Sequence, residues 1–285
     1  MKIFITGSTG FIGKYVIKNA LNKGHEVLAL KRKNNKQNYN LYHNRLTWKE
    51  SNILDIKPND LNEVQAIIHL ACAGVSPKQA SFEEMFDINV KSSVHIANIA
   101  KEQNIKRLVY SGSFHEYGNS SNKFKKIPTD APLEPVTLYG ATKAAGFFLI
   151  NSYAQMNNLE LVYARIFSAY GDGQNIKNFY PSLKLAALKG KDFKMTSGKQ
   201  IRDFVTVEEV AEHLVKACTR KDVISGVPFI INIGKGKGES LINFASNQWD
   251  LFKAKGKLLP GLIKEREEPN SFIADITNLF EKKKN

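Results

Sequence analysis

The chain opens with a short apolar run that ends in a glycine-rich turn, and this feature restricts the fold more than any other. Residues 2–6 are apolar or β-branched, and the turn Gly7-x-x-Gly10-x-x-Gly13 follows directly. A helical pattern and a second apolar run, residues 26–30, come next. The order strand, glycine turn, helix, strand predicts a βαβ unit of the size that binds dinucleotides.

The glycines of this turn lie where a phosphate-binding backbone needs them. They let the main chain approach a pyrophosphate, and the N-terminus of the following helix supplies N–H donors and a favourable dipole. The spacing is Gly-x-x-Gly-x-x-Gly, whereas the usual dinucleotide fingerprint is Gly-x-Gly-x-x-Gly. A tight turn without a ligand is therefore the alternative, but the position directly after the first strand favours a bound dinucleotide.

Strand and helix patterns then alternate as far as residue 167. Small residues after the strand that ends at Leu70, beginning with Ala71, either let a ligand approach the backbone or relieve crowding. The alternation predicts an α/β fold, a Rossmann-type doubly wound parallel sheet with ligands at the carboxyl ends of its strands. The predicted strands cover residues 66–70, 107–111 and 159–167, and the long helices cover residues 82–102 and 137–157.

After residue 167 the rhythm changes, and we predict a smaller C-terminal substrate-binding lobe that is interleaved with the sheet. Helices are predicted over residues 181–189, 205–219, 240–252 and 274–282, and a strand over residues 229–233. We assign residues 1–167 and 205–233 to the dinucleotide-binding Rossmann domain. The substrate-binding lobe comprises residues 168–204 and 234–285.

Tyr139 and Lys143 stand one turn apart on the predicted helix 137–157. A lysine charge beside a phenol lowers the phenol pKa from about 10, which suits proton transfer to or from a substrate oxygen. The lysine donors can also hold the ribose hydroxyls of a nucleotide cofactor. Ser113 follows a predicted strand and offers a hydroxyl to a substrate oxygen. The alternative for the tyrosine and lysine is a solvated pair on an amphipathic helix.

The chain is strongly basic, with a formal net charge of +14 over 285 residues. Such a charge suits a nucleic-acid binder or an enzyme for anionic substrates. Only seven of the 41 basic residues are arginine, and the lysines are spread along the chain without an arginine-rich stripe. We therefore expect no nucleic-acid partner and favour an anionic small molecule.

Hydrophobic segments and cysteines set the expected location. The apolar run at the N-terminus is shorter than a signal peptide needs, and no stretch reaches membrane-spanning length. Cys72 and Cys218 form neither a disulfide framework nor a metal-ligand spacing. We expect a cytoplasmic protein with no membrane contact and no metal site.

The turn, the serine strand and the tyrosine–lysine helix together resemble the extended short-chain dehydrogenase/reductases, the NAD-dependent epimerase/dehydratases that act on nucleotide sugars. The resemblance spans nearly the whole chain. The segments that carry it are Gly7-Ser8-Thr9-Gly10-Phe11-Ile12-Gly13, Ile68-His69-Leu70-Ala71, Asp87-Ile88-Asn89-Val90, Val109 to Gly118, Tyr139 with Lys143, Arg165 to Gly171, and Arg202-Asp203-Phe204-Val205.

The resemblance implies a role for each matching position. Ser113, Tyr139 and Lys143 match catalytic residues, and Arg202 matches an arginine that grips the diphosphate of the substrate. Arg266 lies near a second such arginine, in a loose register for which a surface role is the alternative. Cofactor contacts are implied at Gly7, Thr9, Gly10, Phe11, Ile12, Gly13, Leu70, Ala71, Tyr139 and Lys143, and substrate contacts at Ser113, His115, Ser168, Arg202 and Arg266.

Three positions depart from the family pattern. The sugar 4,6-dehydratases place an aspartate and a glutamate directly after the serine or threonine, where this chain has Phe114 and His115. Dehydration is therefore in doubt, and His115 is either a substitute acid or base or a histidine packed beneath the sugar site. Ser168 stands where the family's Arg-x-x-Asn motif has its asparagine, so one sugar contact stays open.

We predict an NAD(P)-dependent oxidoreductase for a nucleotide-diphosphate sugar, and specifically a keto-sugar reductase of deoxysugar or surface-polysaccharide biosynthesis. One alternative is a nucleotide-sugar 4-epimerase with bound NAD. Another is a non-catalytic dinucleotide-binding sensor or scaffold, since a fold does not determine a function. Relatives commonly dimerise through the helices that lie here at residues 82–102 and 137–157, so we expect a homodimer.

The residues after the second predicted strand bear on the coenzyme. They are Lys31-Arg32-Lys33, and no Asp or Glu appears until Glu50. In this fold an acidic residue here accepts from the ribose 2′-hydroxyl of NAD, and a basic one meets the 2′-phosphate of NADP. We predict that Arg32, or failing that Lys31, pairs with the 2′-phosphate, so NADP(H) is favoured over NAD(H). A solvated basic turn is the alternative.

Overall fold

Fourteen strands and seven α-helices are found in the computed structural model of the protein, which describes residues 1–33, 41–75, 79–265 and 267–280. The strands are β1 (Lys2–Thr6), β2 (Glu26–Lys31), β3 (Leu46–Glu50), β4 (Ala66–His69), β5 (Arg107–Ser113), β6 (Glu160–Ile166), β7 (Ser168–Tyr170), β8 (Phe193–Lys194), β9 (Ile201–Arg202), β10 (Phe204–Thr206), β11 (Phe229–Ile233), β12 (Glu239–Ser240), β13 (Leu258–Leu259) and β14 (Ser271–Phe272). The α-helices are α1 (Phe11–Asn22), α2 (Phe82–Phe86), α3 (Ser92–Glu102), α4 (Leu138–Met156), α5 (Phe179–Leu188), α6 (Val207–Ala217) and α7 (Leu241–Leu251).

Seven of these strands form one sheet in the order β11-β6-β5-β4-β1-β2-β3, and every neighbouring pair is parallel. The chain moves outward from β1 to β3 on one side and from β4 to β11 on the other. The order therefore reverses between β1 and β4, which places a ligand crevice at the carboxyl ends of these two strands. The predicted Rossmann-type doubly wound fold is confirmed.

Helices cover both faces of the sheet, because its strands are apolar on both sides. One core lies between the sheet and helices α1 and α6, and it includes Ile5, Val16 and Leu214. The other core lies under α3 and α4, and it includes Phe4, Ile96 and Ile150. Strands buried on both faces are typical of parallel sheets.

The C-terminal part of the chain adds small sheets at one end of the large one. Strand β7 pairs with β10, and β9 pairs with β12 and β14. Helices α5 and α7 enclose an apolar cluster that includes Leu183 and Trp249, and the rings of Phe204 and Phe244 stack at 3.8 Å. These pairings connect segment 168–204 with the described residues of segment 234–280. The division of the chain into two domains stays a prediction.

The structure differs from the expected elements at several short strands, at the start of α6, which follows β10 and begins at Val207, and in three further places. Strand β3 was not predicted, although it pairs with β2 along its whole length. The helix predicted over residues 82–102 contains a π-helical turn at Asp87–Lys91. The helix predicted over residues 274–282 is wrong for its described part, because residues 274–280 contain only a bridge, a turn and a bend.

Candidate active site

The glycine turn packs directly against the segment that follows β4. Gly7 has a φ of +66°, and a Cβ there would lie 2.7 Å from the carbonyl carbon of Leu70 and 2.8 Å from the amide nitrogen of Ala71. A Cβ on Gly13 would collide with the carbonyl oxygen of Gly7. Leu70 and Ala71 therefore lie next to the glycine turn. This is the arrangement expected if both segments contact the same cofactor. Both glycines are needed for this packing.

Helix α1 begins at the turn with its N-terminal amides uncapped by a side chain. Gly10 is the N-cap residue, it makes no side-chain cap bond, and the first turn contains no acidic residue. Thr9, Phe11 and Ile12 are only partly buried around this end. An uncapped helix N-terminus on a glycine-rich turn is the arrangement that receives a pyrophosphate, so these residues fit a dinucleotide. The assigned contacts stay predictions.

Thr6 and His69 lie at the base of this crevice, at the carboxyl ends of β1 and β4. The Thr6 hydroxyl oxygen accepts from the amides of Leu70 at 3.1 Å and Ala71 at 3.2 Å. Its hydrogen is then directed to His69 Nδ1 at 3.0 Å, so the ring proton sits on Nε2. Burial, with a smaller effect of the Lys143 charge, lowers the pKa of His69 to about 3. His69 is a neutral structural histidine at physiological pH.

Asn89 joins this floor to helix α4. Its side-chain oxygen accepts from the amide of Ala73 at 2.8 Å. Its amide group donates to the carbonyl oxygen of Ala73 at 3.0 Å and to the hydroxyl of Thr142 at 2.9 Å. Thr142 is the residue before Lys143, so Asn89 sets the distance between the crevice and the tyrosine–lysine pair.

The structure brings Ser113 and Tyr139 together at the carboxyl end of β5. Strand β5 ends at Ser113, and Thr137 caps helix α4 by accepting from the amide of Gly140. The hydroxyl of Ser113 lies close enough to that of Tyr139 to affect its pKa. Burial raises the pKa of Tyr139 in this structure, with a smaller opposing effect of Ser113. The expected lowering of this pKa is therefore wrong for this structure, in which burial favours the protonated form of Tyr139.

Lys143 lies beneath this pair. It is 5% exposed, and its Nζ donates to the carbonyl oxygen of Ser111 at 2.5 Å. An ammonium group has three donors, so two hydrogens are left after this bond. The predicted i, i+4 placement on one helix is confirmed, but the bond to Ser111 holds the ammonium group against β5.

His115 belongs to the aromatic wall next to Tyr139. Its ring stacks on Phe114 at 4.2 Å and meets the edge of Tyr139 at 5.8 Å. Phe114 in turn packs on Phe272 at 4.8 Å. The positions that carry carboxylates in the dehydratases are thus filled by two rings that pack on each other.

The basic run at the end of β2 contains one residue with an acidic partner, Lys31, and two exposed residues, Arg32 and Lys33. Lys31 forms an ion pair with Glu50 at 3.4 Å, because β2 and β3 are in register at these two residues. Arg32 is exposed. Glu50 is distant in sequence, and only the sheet shows that an acidic residue lies beside this basic run.

Arg202 and Ser168, two of the residues predicted to bind the substrate, lie on the small sheets. Arg202 is 6% exposed and donates to the carbonyl oxygens of Ile201 at 2.8 Å and Asn270 at 3.0 Å, and to Glu268 at 2.8 Å. Ser168 is half-buried, and its backbone amide donates to the carbonyl oxygen of Asp203. Arg266 lies outside the described residues.

Sequence reasoning missed the roles of Thr6 and Glu116. Thr6 ends the first strand with a hydroxyl, which was a usable signal. Glu116 is completely buried three residues after Ser113, in a turn whose sequence gives no sign of a buried charge. Within the described ranges there is no group of three or more metal-ligating side chains, and no helix there is long and apolar enough to span a membrane.

The fold and these residues define an extended short-chain dehydrogenase/reductase. The chain belongs to the NAD dependent epimerase/dehydratase family, whose model matches residues 3–234.

Individual relatives agree with this assignment. The UDP-glucose 4-epimerase of Bacillus subtilis is 25% identical over 296 residues, which covers 93% of this chain and 86% of that protein. A UDP-N-acetylglucosamine 4-epimerase from Methanobrevibacter ruminantium M1, solved with UDP-N-acetylmuramic acid, has a TM-score of 0.86 at 24% identity and covers 98% of this chain and 90% of its own. MoeE5, solved with UDP-glucuronic acid and NAD, has a TM-score of 0.81 at 25% identity, with coverages of 98% and 91%.

Proposed function

We propose that this protein is a nucleotide-sugar 4-epimerase, which oxidises and re-reduces the C4 carbinol of a nucleotide-diphosphate sugar. The observation that carries the proposal is that Ser113 and Tyr139 lie together at the carboxyl end of β5, with Tyr139 also next to Gly74 in the segment after β4. The beginning of that segment packs on the glycine turn. The packed rings of Phe114 and His115 leave no carboxylate at the two positions that serve dehydration in relatives. The similarity to UDP-sugar 4-epimerases supports the same reaction.

Tyr139 is the proposed proton carrier. Burial raises the pKa of Tyr139 and favours its protonated form. In that form the tyrosine can donate a proton to a ketone oxygen. Ser113 would donate a hydrogen bond to the same oxygen. A bound nicotinamide dinucleotide would accept the hydride at C4 and return it.

Lys143 has a supporting role in this proposal. Its bond to the carbonyl oxygen of Ser111 holds the ammonium group beneath the crevice. Its remaining donors suit the ribose hydroxyls of the dinucleotide and the oxygen of Tyr139. Asn89 and Thr142 would keep this helix at the correct distance from the dinucleotide.

Arg202 is proposed to bind the diphosphate of the substrate. Its guanidinium group donates to two backbone carbonyl oxygens and to the carboxylate of Glu268. A diphosphate offers oxygens of the same charge and spacing to the guanidinium fork. Ser168 and His115 are proposed to contact the sugar, and Arg266 stays a proposed second contact to the diphosphate.

A keto-sugar reductase is the second candidate, and the exposed Arg32 favours it. A basic residue after β2 suits the 2′-phosphate of NADP(H). A reductase exchanges its coenzyme at each turnover, whereas an epimerase retains NAD. The ion pair of Lys31 with Glu50 leaves Arg32 as the better phosphate partner.

A single set of incubations separates these functions. The purified protein is incubated with UDP-glucose or UDP-N-acetylglucosamine without added coenzyme, and the products are analysed for the C4 epimer. Parallel incubations contain a 4-keto nucleotide sugar with NADPH or NADH. Epimer formation without net coenzyme change supports the epimerase, and stoichiometric oxidation of NADPH supports the reductase. Dinucleotide binding with no turnover in either arm would instead indicate a sensor or scaffold.

We also propose a homodimer that forms through the helices at residues 82–102 and 138–156. Large apolar side chains are exposed on both, among them Phe82 (54%), Phe86 (46%), Phe148 (58%) and Leu149 (49%). Exposed apolar patches on long helices mark interaction surfaces. Light scattering of the purified chain tests this state, and a Phe86→Asp, Phe148→Asp variant should be monomeric.

A further inference from the structure

Glu116 is a fully buried carboxylate next to the proposed catalytic serine. It is 0% exposed and lies in the short helical turn Phe114–Glu116 that follows β5. Its Oε1 accepts from the backbone amide of Ser113 at 2.7 Å and from the hydroxyl of Tyr163 at 2.9 Å. Its Oε2 accepts from Arg165 at 2.7 Å. Three hydrogen bonds therefore hold this carboxylate in place.

Arg165 compensates the charge of Glu116. Its side chain is 1% exposed, and it also donates to the hydroxyl of Tyr117 at 3.2 Å and the carbonyl oxygen of Thr129 at 3.0 Å. The guanidinium carbon lies 4.4 Å from the ring centre of Phe147. A buried carboxylate is costly unless it is paired and hydrogen bonded, and here both conditions are met. The pair is thus a rigid anchor between β6 and the turn.

The turn with Glu116 is pressed against the helix that carries Tyr139. A Cβ on Gly140 would lie 2.5 Å from the carbonyl oxygen of His115. A Cβ on Gly112 would lie 2.9 Å from the carboxylate of Glu116. The turn is therefore closely packed against both β5 and α4. The bond from the Ser113 amide to Glu116 lies within this packed region.

We propose that Glu116 is a positioning residue, which orients Ser113 toward Tyr139 through the bond to the Ser113 amide while Arg165 keeps the carboxylate in place. This inference rests on the proposed function, in which the two hydroxyls meet one substrate oxygen. A displacement of about 1 Å at such a site costs on the order of 100-fold in rate. The anchor thus acts on turnover and leaves ligand binding unchanged.

Two double variants test the proposal because they differ only in the acceptor. Glu116→Gln with Arg165→Met removes both buried charges and keeps an acceptor for the Ser113 amide. Glu116→Leu with Arg165→Met removes the charges and the acceptor. We expect the glutamine variant to keep kcat within about threefold and the leucine variant to lose about 10- to 100-fold, with KM and dinucleotide affinity unchanged in both.

Two further measurements keep the test independent of folding and of turnover. Hydrogen exchange at the Ser113 amide, read by mass spectrometry with residue-level fragmentation, should be faster in the leucine variant than in the glutamine variant. Glu116→Asp keeps a buried carboxylate but shortens the side chain, and it should lower kcat while dinucleotide affinity stays unchanged.

The outcomes separate cleanly. The proposal is overturned if the leucine variant keeps the wild-type kcat. It is also overturned if kcat falls in parallel with the melting temperature in both double variants while Glu116→Asp keeps the full kcat. Absence of turnover in the wild-type chain, with a normal fold and bound dinucleotide, would overturn the proposed function instead. Tyr163→Phe serves as the control, because it removes one bond to Glu116 and leaves the bond to Ser113.

Discussion

Glu268 accepts a hydrogen bond from Nη2 of Arg202 at 2.8 Å, so a carboxylate of the chain itself occupies part of the proposed diphosphate site. The neighbouring Glu265 behaves similarly, since it accepts from the backbone amide of Ser197 at 2.7 Å and from Gln200 at 3.2 Å. Two acidic side chains of one segment thus bond to donors on β9 and the loop before it. A diphosphate would compete with Glu268 for Arg202.

The first prediction concerns this competition. Glu268→Gln should tighten binding of UDP-glucose by roughly three- to tenfold, because an anion no longer competes for Arg202. Arg202→Ala should weaken the same binding by about 1.5–3 kcal/mol through the loss of charge-assisted bonds. Calorimetric titration measures both.

Glu267→Gln is the matched control for Glu268→Gln, since Glu267 is exposed and has the same charge. It should leave the affinity near the wild-type value. If Arg202→Ala weakens dinucleotide binding as much as sugar binding, Arg202 faces the other ligand.

The second prediction concerns the proton carrier. Tyr139→Phe should keep the fold and the dinucleotide affinity but lower kcat by about 100- to 10,000-fold, the usual contribution of general acid–base catalysis. Tyr153→Phe, on the same helix but away from Ser113, should keep kcat. Steady-state kinetics measure kcat of both variants. Normal turnover in Tyr139→Phe would show that another group carries the proton.

The third prediction concerns the coenzyme. If Arg32 meets a 2′-phosphate, NADPH should bind at least about tenfold tighter than NADH, a difference of 1.4 kcal/mol. Arg32→Ala should remove this preference, whereas Lys33→Ala should largely keep it. Fluorescence titration with both reduced coenzymes measures the ratio. A clear preference for NADH, or NAD retained through purification, would exclude the reductase and support the epimerase.

The fourth prediction concerns stability in acid. The pKa of His69 is lowered to about 3, so the unfolded chain, with a histidine pKa near 6.5, binds the proton first as the pH falls. The neutral ring makes its full contribution to stability above about pH 6.5, and this contribution is lost as the pH falls from about 6.5 to about 3. The free energy of unfolding falls by at most about 1.4 kcal/mol per pH unit in this range.

Urea unfolding of the wild type and of His69→Asn between pH 7 and pH 4 tests this linkage. The free energy of unfolding of the wild type should fall more steeply with decreasing pH than that of the variant. His43→Asn, at an exposed position, is the control and should follow the wild type. Parallel curves for all three proteins would show that His69 is not the group responsible.

Local patterns in the sequence determined the βαβ unit, the glycine turn and the helix of Tyr139. Each of these depends on residues within one or two turns of each other, such as the i, i+4 spacing of Tyr139 and Lys143. Strand β3 was not recognisable, because it is a half-buried edge strand whose partner is chosen by the sheet. The C-terminal helix was wrong because residues 273–275 instead bond to Ile127 and Asp203.

Tertiary structure alone decided the partners of the charged and titrating groups. Lys143 bonds to Ser111, Arg202 to Glu268 and Arg165 to Glu116, and the two members of each pair are between 32 and 66 residues apart. Burial also reversed the expected direction for the pKa of Tyr139. Desolvation and pairing act through distances in space, and spacing along the chain does not contain those distances.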